Sequence, residues 1–313
     1  MLRFFARTPG WGVEITSSGV RLALMAGRGA DLSVLHTGEV DLPTGLVAES
    51  YSSPNIRDLD TLARTLRACL SGSPVQANRA ALSLPDGVFR VQTLEFDQLP
   101  AKTKDRERLI RWRLEKAAAF DISETVLRYQ VLRQREHGFT ELACLIKQAV
   151  LEQYESVLTA LGLEPWIVGL SSFHVLNFFS PLRVKKSVSA LACLTDESFT
   201  TIVTEAGGAR FYRYKEVKRS GADEIKARLV REIEDSLHFY THMDRAQTSA
   251  VDHLYLAGAP AVTDELAGEL RTSASLNVEI LSPAGVVPRS GGPSPASALP
   301  VSMAAAMGAG SAL

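Results

Sequence analysis

Two histidines lie four residues apart in a segment, residues 224–242, whose apolar periodicity predicts a long helix. His238 and His242 would then project from the same face of that helix, at a spacing that lets two imidazoles bind one metal ion. The sequence offers no apparent third ligand beside them. We therefore predict no metal site and interpret the pair as part of a partly buried helix face.

A second candidate for chemistry is the basic segment 102–116, which is also predicted to be helical. It carries seven basic and three acidic side chains, so its net charge is +4. Such a face can be solvated and laced with ion pairs between residues four positions apart. It can also contact anionic lipid headgroups or an acidic partner. The candidate contact residues are Arg108, Arg111, Trp112 and Arg113, and the large side chain of Trp112 suits either an interface or the core.

Sequence motifs of autonomous enzymes are absent. The chain has no phosphate-binding G-x-x-x-x-G-K-[ST] loop, no G-x-G-x-x-G, no H-E-x-x-H and no G-x-S-x-G. The three cysteines are Cys69, Cys144 and Cys193, and their wide separation argues against a disulfide framework and against a zinc site. We assign no catalytic residue, and the sparse cysteines favour a reducing compartment.

The overall composition is that of a globular protein. The chain has 313 residues, 46% of them hydrophobic, and a net charge of −1. That charge balance argues against a general nucleic-acid binder, which carries a basic excess. No apolar run reaches the roughly 18 residues of a spanning helix, and the apolar stretch in residues 1–10 is too short for a signal peptide. We expect a cytoplasmic protein of one large or two medium domains.

The elements that must position these side chains follow a repeated pattern. Both halves of the chain open with strand, polar turn, strand, turn and strand, over residues 13–42 and 188–214. Strands and helices then alternate in each half, which predicts two related α/β halves. The later strands are predicted at residues 80–84, 89–94, 126–132, 139–146, 166–170, 253–257 and 278–281. The helices are predicted at residues 59–70, 104–120, 147–161, 173–179, 224–242 and 263–270.

Six strings carry a resemblance to known proteins. In chain order they are WGVEITSSGVRLALM, ALSLPDGVFRVQTLEFDQLP, ALGLEPWIVGLSSFHVLNFF, SALACLTDESFTTIVTEAGGARFYR, EIEDSLHFY followed by HLYLAGAPA, and SMAAAMGAG. Together they resemble the actin-like superfamily and, within it, the PilM proteins of type IV pilus assembly. The cytoplasmic domain of the type II secretion protein GspL and the FtsA proteins are relatives in the same superfamily.

The resemblance implies an α/β fold of the actin-like, ribonuclease H-like duplicated type. Two lobes would flank a cleft that binds ATP in many relatives, and a small α/β subdomain would be inserted in the first lobe. The implied boundaries are residues 1–86 plus 164–184 for the first lobe, 87–163 for the inserted subdomain and 185–313 for the second lobe.

The residues at the implied nucleotide positions depart from the pattern. Nucleotide-binding relatives read D-I-G-S-S at the first hairpin, and this chain has Glu14, Ile15, Thr16, Ser17 and Ser18. The D-I-G of the second hairpin aligns with Leu194, Thr195 and Asp196. The usual Gly-Gly turn against the adenosine is Gly258-Ala259. A β-carbon in place of glycine keeps the backbone away from a phosphate, and carboxylates without a metal repel a polyanion.

We therefore predict a degenerate nucleotide site. The cofactor is expected to be none, with ATP and Mg²⁺ as the alternative if the cleft is competent. The candidate cofactor-contacting residues are Glu14, Thr16, Ser17, Ser18, Asp196, Ser198, Gly258 and Ala259.

The resemblance also implies a function. PilM lies on the cytoplasmic face of the inner membrane, binds the N-terminal tail of the membrane protein PilN and connects to other platform proteins. We expect a cytoplasmic scaffold of this kind, peripheral to the inner membrane through its partners. The alternatives are an active ATPase of the same superfamily, a GspL-like component of a type II secretion platform, or an FtsA-like polymer former. The last fits poorly because residues 303–313 lack the charged or aromatic residues of an amphipathic anchor.

Overall fold

An antiparallel meander of three strands opens each half of the chain. In the first half these strands are β1 (Gly10–Ile15), β2 (Gly19–Ala26) and β3 (Ser33–Asp41). The computed structural model describes residues 9–27, 32–73, 75–116, 121–135, 138–180, 188–195, 198–206, 208–217, 222–243, 250–258, 260–273, 276–283 and 286.

Two parallel strands complete the first sheet. Strand β4 (Arg79–Leu84) pairs with β1, and β8 (Glu164–Leu170) pairs with β4, which gives the order β3-β2-β1-β4-β8. Helices α1 (Leu59–Leu70) and α3 (Gln148–Ala160) pack on one face of this sheet. Helix α1 begins after Asp58, whose carboxylate accepts a hydrogen bond from the Thr61 N–H as an N-cap.

The middle of the chain forms a separate small sheet. Its strands are β5 (Arg90–Phe96), β6 (Thr125–Arg135) and β7 (Gly138–Lys147), in the order β5-β7-β6, and helix α2 (Thr103–Glu115) covers one face. The core between this sheet and α2 contains Leu94, Phe96, Ile110, Leu114, Leu127, Ala143 and Leu145. These elements correspond to the inserted subdomain.

Helix α3 falls within the predicted range of the inserted subdomain, residues 87–163, but it packs in the first lobe. Its residues Val150, Tyr154 and Leu158 are buried in the core of the first lobe, together with residues of α1 and β4. The apolar periodicity of a helix predicts that one face is buried but does not indicate which sheet covers it. The small sheet and α2 therefore span residues 90–147, and α3 lies in the first lobe.

The second half repeats the topology of the first. Its meander consists of β9 (Ser189–Leu194), β10 (Ser198–Glu205) and β11 (Gly208–Glu216), and β12 (His253–Ala257) and β13 (Asn277–Ile280) add in parallel. The order β11-β10-β9-β12-β13 matches that of the first sheet. Helices α5 (Ala222–Met243) and α6 (Pro260–Ser273) contribute to its core. The predicted duplicated, two-lobed α/β fold is confirmed.

The two lobes share an apolar core. Helix α4 (Ser171–Phe178) lies between them, and its Phe178 is almost fully buried. The shared core also contains Ala23, Met25 and Val34 of the first sheet, Leu132 and Leu142 of the small sheet, and Leu191, Ile202 and Tyr255 of the second sheet. Within the described ranges, no helix is both long and apolar enough to span a membrane.

Candidate functional site

The turn of the first hairpin, between β1 and β2, satisfies most of its own polar groups. The Thr16 N–H donates to the Gly19 carbonyl at 2.9 Å, and the Gly19 N–H donates back to Thr16 Oγ1 at 3.1 Å. The Thr16 and Ser18 hydroxyls lie 3.1 Å apart. The threonine that replaces glycine therefore closes the turn with its own side chain.

The turn of the second hairpin has the same arrangement around Thr195. Its N–H donates to the Ser198 carbonyl at 2.9 Å, and the Ser198 N–H donates to Thr195 Oγ1 at 3.0 Å. Thr195 is thus the structural equivalent of Thr16, and Ser198 is that of Gly19.

This equivalence corrects the predicted alignment of the second hairpin by one residue. Strand pairing agrees with it, because Ile15 pairs with Val20 and Leu194 pairs with Phe199. The residue equivalent to Glu14 is then Cys193. The error arose because apolar strings alone do not fix the register of a hairpin. Two other predicted contacts, Asp196 and Ala259, lie outside the described residues.

The acidic residue of the first hairpin is directed to a neighbouring strand. Glu14 is buried, and its carboxylate lies 3.8 Å from a guanidinium nitrogen of Arg21, the residue that it faces across the β1–β2 pair. Arg21 also donates to Glu39 of β3 at 2.7 Å. Glu14 therefore takes part in an ion-pair network on the first sheet.

Ser17, the next predicted contact, already has an anionic partner. Its N–H and its hydroxyl both donate to the same carboxylate oxygen, Oε1 of Glu49, each at 3.1 Å. Glu49 lies in the loop between β3 and α1. A carboxylate from the chain itself thus lies on the donors of the first turn.

A second carboxylate joins the two lobes. Asp86 lies two residues after the end of β4, is almost fully buried and accepts four hydrogen bonds. The donors are the Ser172 N–H at 3.2 Å, the Ser172 hydroxyl at 2.5 Å, the Thr200 hydroxyl at 2.8 Å and the Tyr212 hydroxyl at 2.9 Å. Ser172 belongs to α4, whereas Thr200 and Tyr212 belong to the second lobe. Burial raises the pKa of the Asp86 carboxyl, and these hydrogen bonds oppose the rise.

The side chain of Tyr214 lies against Gly87, the residue after Asp86. A β-carbon built on Gly87 would lie 2.5 Å from the Tyr214 hydroxyl, so only glycine allows this approach. Burial is the main cause that raises the pKa of Tyr214 to about 12, and a hydrogen bond with Ser198 opposes the rise. Tyr214 therefore reaches from β11 to both the second hairpin turn and the end of β4.

Gly258 has a packing role at the predicted adenosine turn. A β-carbon there would lie 2.9 Å from Cβ and 3.0 Å from the carbonyl oxygen of Leu194. The glycine therefore lets the end of β12 pack against the end of β9. This contact alone explains why glycine is needed at the position.

Two of the implied nucleotide contacts, Glu14 and Ser17, have charged partners within the chain. Glu49 lies on the Ser17 donors, while Asp86 and Tyr214 connect the end of β4 with the second lobe. A carboxylate at the donors would repel a phosphate. Among the residues that the structure describes, no group of three or more His, Cys, Asp or Glu side chains is placed to bind a metal ion. Sequence reasoning missed Glu49, Asp86 and Tyr214, since only Asp86 had a local signal, the Pro-Asp-Gly turn after a strand.

The basic helix contains residues of two kinds. Arg111 donates to Glu107 at 3.1 Å and to the carbonyls of Ile122 and Thr125, each at 3.2 Å, so it holds α2 against the start of β6. Arg108 is exposed and pairs with Asp105. Arg111 therefore has a structural role, and its contact with a partner stays a prediction.

Trp112 and Arg113 line a groove of about 450 Å³ beside α2. Trp112 is 49% exposed, and the Lys116 ammonium lies 3.7 Å from the centroid of its ring. Arg113 donates to the Glu95 carbonyl at 3.1 Å. The other lining residues are Glu95, Phe96, Asp97, Leu109, Gly138, Phe139 and Thr140. The exposed position of Trp112 excludes the core alternative for this residue.

The histidine pair is on the surface of α5. His238 and His242 are both exposed, which corrects the prediction of a partly buried face. Their rings stack with centroids 3.9 Å apart, and Nδ1 of His242 lies 2.8 Å from the His238 carbonyl. Apolar periodicity places the stripe of a helix only approximately, and these residues lie just outside it.

The duplicated sheets, the meander that opens each half and the cleft between the lobes define the actin-like fold. The structure is similar to one described as a PilM-PilN type IV pilus biogenesis complex, with 18% identity and a TM-score of 0.78 over 97% of this chain and 98% of that chain. The predicted resemblance to PilM is confirmed at the level of the fold.

Two other solved structures support the same fold. A Bacteroides thetaiotaomicron protein with an actin-like ATPase fold is 12% identical, with a TM-score of 0.52 over 90% of this chain and 93% of that one. The cytoplasmic domain of EpsL, an inner membrane component of the type II secretion system of Vibrio cholerae, is 10% identical, with a TM-score of 0.50 over 96% and 95%. No protein-family model and no curated protein matches the sequence.

Proposed function

We propose that this protein is a cytoplasmic scaffold of a type IV pilus assembly platform and that it binds the N-terminal cytoplasmic tail of a PilN-like membrane protein. The proposal is supported by the similarity to the PilM-PilN complex, which extends over nearly the whole of both chains and includes the inserted subdomain. The protein would be peripheral to the inner membrane through this partner and would contact other platform proteins. We propose no nucleic-acid partner.

The observation that carries the scaffold proposal is the set of hydrogen bonds that Glu49 and Asp86 accept within the chain. Glu49 lies on the Ser17 donors, and Asp86 joins α4 to two strands of the second lobe. A polyphosphate at the first turn would have to displace Glu49 from the Ser17 donors. The proposed mechanism is therefore capture of a peptide by a nucleotide-free protein. An extended tail can be held by backbone hydrogen bonds and by pockets for alternate side chains.

A GspL-like role in a type II secretion platform is the second candidate. The similarity to the cytoplasmic domain of EpsL extends over 96% of this chain, which favours a platform component of either machine. In either role the protein would act as a scaffold that binds a segment of an inner-membrane protein. The contact between Glu49 and the Ser17 donors counts against an active ATPase.

The test is calorimetric titration of the full chain with a synthetic peptide of the N-terminal tail of a PilN from the same organism. A scrambled peptide of the same composition is the control, and Mg-ATP is titrated separately. We expect saturable binding of the tail peptide, no binding of the scrambled one and no saturable heat with Mg-ATP. Absence of peptide binding would overturn the PilN-like partner, and sub-millimolar binding of Mg-ATP would overturn the nucleotide-free mechanism.

A further inference from the structure

We propose that Glu49 is a resident anion that occupies a latent phosphate-binding site on the turn of the first hairpin. The inference rests on the proposed function, because it explains why the cleft would work without nucleotide. It concerns the first turn alone, where the Ser17 N–H and the Ser17 hydroxyl converge on one oxygen of Glu49 at 3.1 Å each. Two donors that converge on one anionic oxygen form the arrangement by which proteins bind phosphate oxygens.

The loop that carries Glu49 is held rigidly. Val47 and Ile56 form an isolated β-bridge, and the Ala48 N–H donates to the Asn55 carbonyl at 2.8 Å. These contacts bracket Glu49 on both sides. The carboxylate is thus presented to the turn by a closed loop of fixed shape.

Helix α3 anchors this loop from below. The side-chain oxygen of Gln153 accepts from the Asn55 N–H at 2.8 Å, and its amide donates to the Ile56 carbonyl at 3.1 Å. The Asn55 side chain, 2% exposed, donates to the hydroxyl of Tyr154 at 3.2 Å. Because the buried amide and hydroxyl are paired, the loop geometry is specified by the core. The backbone on both sides of Glu49 is therefore fixed by these contacts, so less conformational entropy is lost when its carboxylate binds the turn.

The carboxylate lies near the second lobe as well as the first. Burial and the negative charge of Glu216 are the larger causes of the raised pKa of Tyr214. The negative charge of Glu49 adds to them. Tyr214 belongs to β11, so Glu49 is close to the cleft between the lobes. A phosphate bound at Ser17 would meet this charge, and the two anions exclude each other.

The test replaces Glu49 and measures anion binding by the full chain. Glu49→Ala removes the carboxylate and frees both Ser17 donors, and inorganic tripolyphosphate is the probe. The matched control is Asp41→Ala, because Asp41 is an exposed carboxylate that faces Gly19 of the same hairpin. It changes the net charge equally and leaves the Ser17 donors covered. Calorimetry gives the affinities, and hydrogen exchange of the Ser17 amide reports the state of the turn.

We expect Glu49→Ala to bind tripolyphosphate at least about tenfold more tightly than wild type, with the control unchanged. The Ser17 amide should exchange faster in the variant and regain protection with tripolyphosphate. If Glu49→Ala does not fold, Glu49→Gln carries the test, and a smaller gain in affinity is expected because its oxygen still accepts from Ser17. Equal affinities in the folded variant and wild type would overturn the inference.

Failure of this inference is distinguishable from failure of the proposed function. Binding of the PilN tail peptide by wild type tests the scaffold and does not depend on Glu49. The comparison between Glu49→Ala and wild type tests the resident anion and does not depend on the peptide. Tight tripolyphosphate binding by wild type itself would overturn the resident anion, even if the peptide binds.

Discussion

Removal of the Asp86 carboxylate should weaken the junction between the lobes. The carboxylate accepts four hydrogen bonds, two from Ser172 and one each from Thr200 and Tyr212. Hydrogen bonds to a charged group contribute about 1.5–3 kcal/mol each, but the donors of one network are not additive. Removal of the acceptor leaves buried donors without a partner, at a cost of about 1–3 kcal/mol for each donor left unsatisfied. We expect Asp86→Ala to lower the free energy of unfolding by about 4 kcal/mol.

Two conservative variants separate the charge from the contacts. Asp86→Asn keeps an acceptor for the Ser172 N–H, and the three hydroxyls can rotate, so we expect a loss of about 2 kcal/mol. Tyr212→Phe removes only the hydroxyl, since the ring can keep its stacking against Phe173 at a centroid distance of 5.9 Å. We expect it to cost about 1.5 kcal/mol.

The pH dependence gives a second check on Asp86. Burial raises the pKa of this carboxyl in the folded state above its unfolded value. The stability that its protonated form contributes is therefore complete below the unfolded pKa and is lost as pH rises through the folded pKa. Asp86→Asn has no such titration. The stability difference between wild type and Asp86→Asn should shrink as pH rises from about 4.

Urea unfolding followed by circular dichroism measures these free energies. A double-mutant cycle of Asp86→Asn with Tyr212→Phe should give a coupling energy of about 1 kcal/mol or more. Hydrogen exchange should increase in β10 and β11 of the Asp86 variants. If Asp86→Ala costs less than about 1 kcal/mol, the junction does not depend on this carboxylate and the reasoning fails.

Three further changes test other buried groups. Burial lowers the pKa of His174 in the folded protein to about 4. The free energy of unfolding is therefore at its full value above the unfolded pKa of about 6.5 and falls by about 3 kcal/mol as pH drops toward 4. His174→Leu should flatten this slope in melting curves, and an unchanged slope would contradict the assignment. Glu141 is fully buried, and Arg106 lies 3.9 Å from its carboxylate, whose two oxygens accept no hydrogen bond from the residues that the structure describes. Glu141→Met should therefore raise the urea-unfolding free energy by about 1 kcal/mol at neutral pH. A loss of stability in this variant would mean that the Arg106 contact outweighs burial of the charge. Gly87→Ala should lower the free energy of unfolding by about 2 kcal/mol, because the new β-carbon clashes with the Tyr214 hydroxyl. Adding Tyr214→Phe should recover part of this loss, because the ring carbon that remains is 3.3 Å from the β-carbon. Equal melting temperatures of the single and double variants would exclude that clash.

Local periodicity predicts the elements of this fold well. Apolar residues at every second position predict β1 and β2, and apolar residues at helical spacing predict α1. These predictions are correct because the apolar residues of the pattern are buried in the fold. The repeated meander also predicts the duplication. These signals depend on neighbours within about ten residues, which is the range over which a sequence pattern carries information on its own.

The contacts that define the site are long-range and have no such signal. Ser17 meets Glu49 across 32 positions, and Asp86 meets Tyr212 across 126. Each partner is an ordinary polar residue in its own segment, and only the assembled lobes bring the pair together. The one-residue error at Thr195 has a related cause, since the hydrogen bonds of the turn, and not the apolar string, fix its register.

The inserted subdomain has two covalent attachments, and both lie beside important contacts of the first lobe. Strand β5 starts four residues after Asp86, and β7 runs directly into α3, whose Gln153 anchors the Glu49 loop. A displacement of the small sheet would therefore act, through two short covalent connections, on the segments that position Asp86 and Glu49 at the same time.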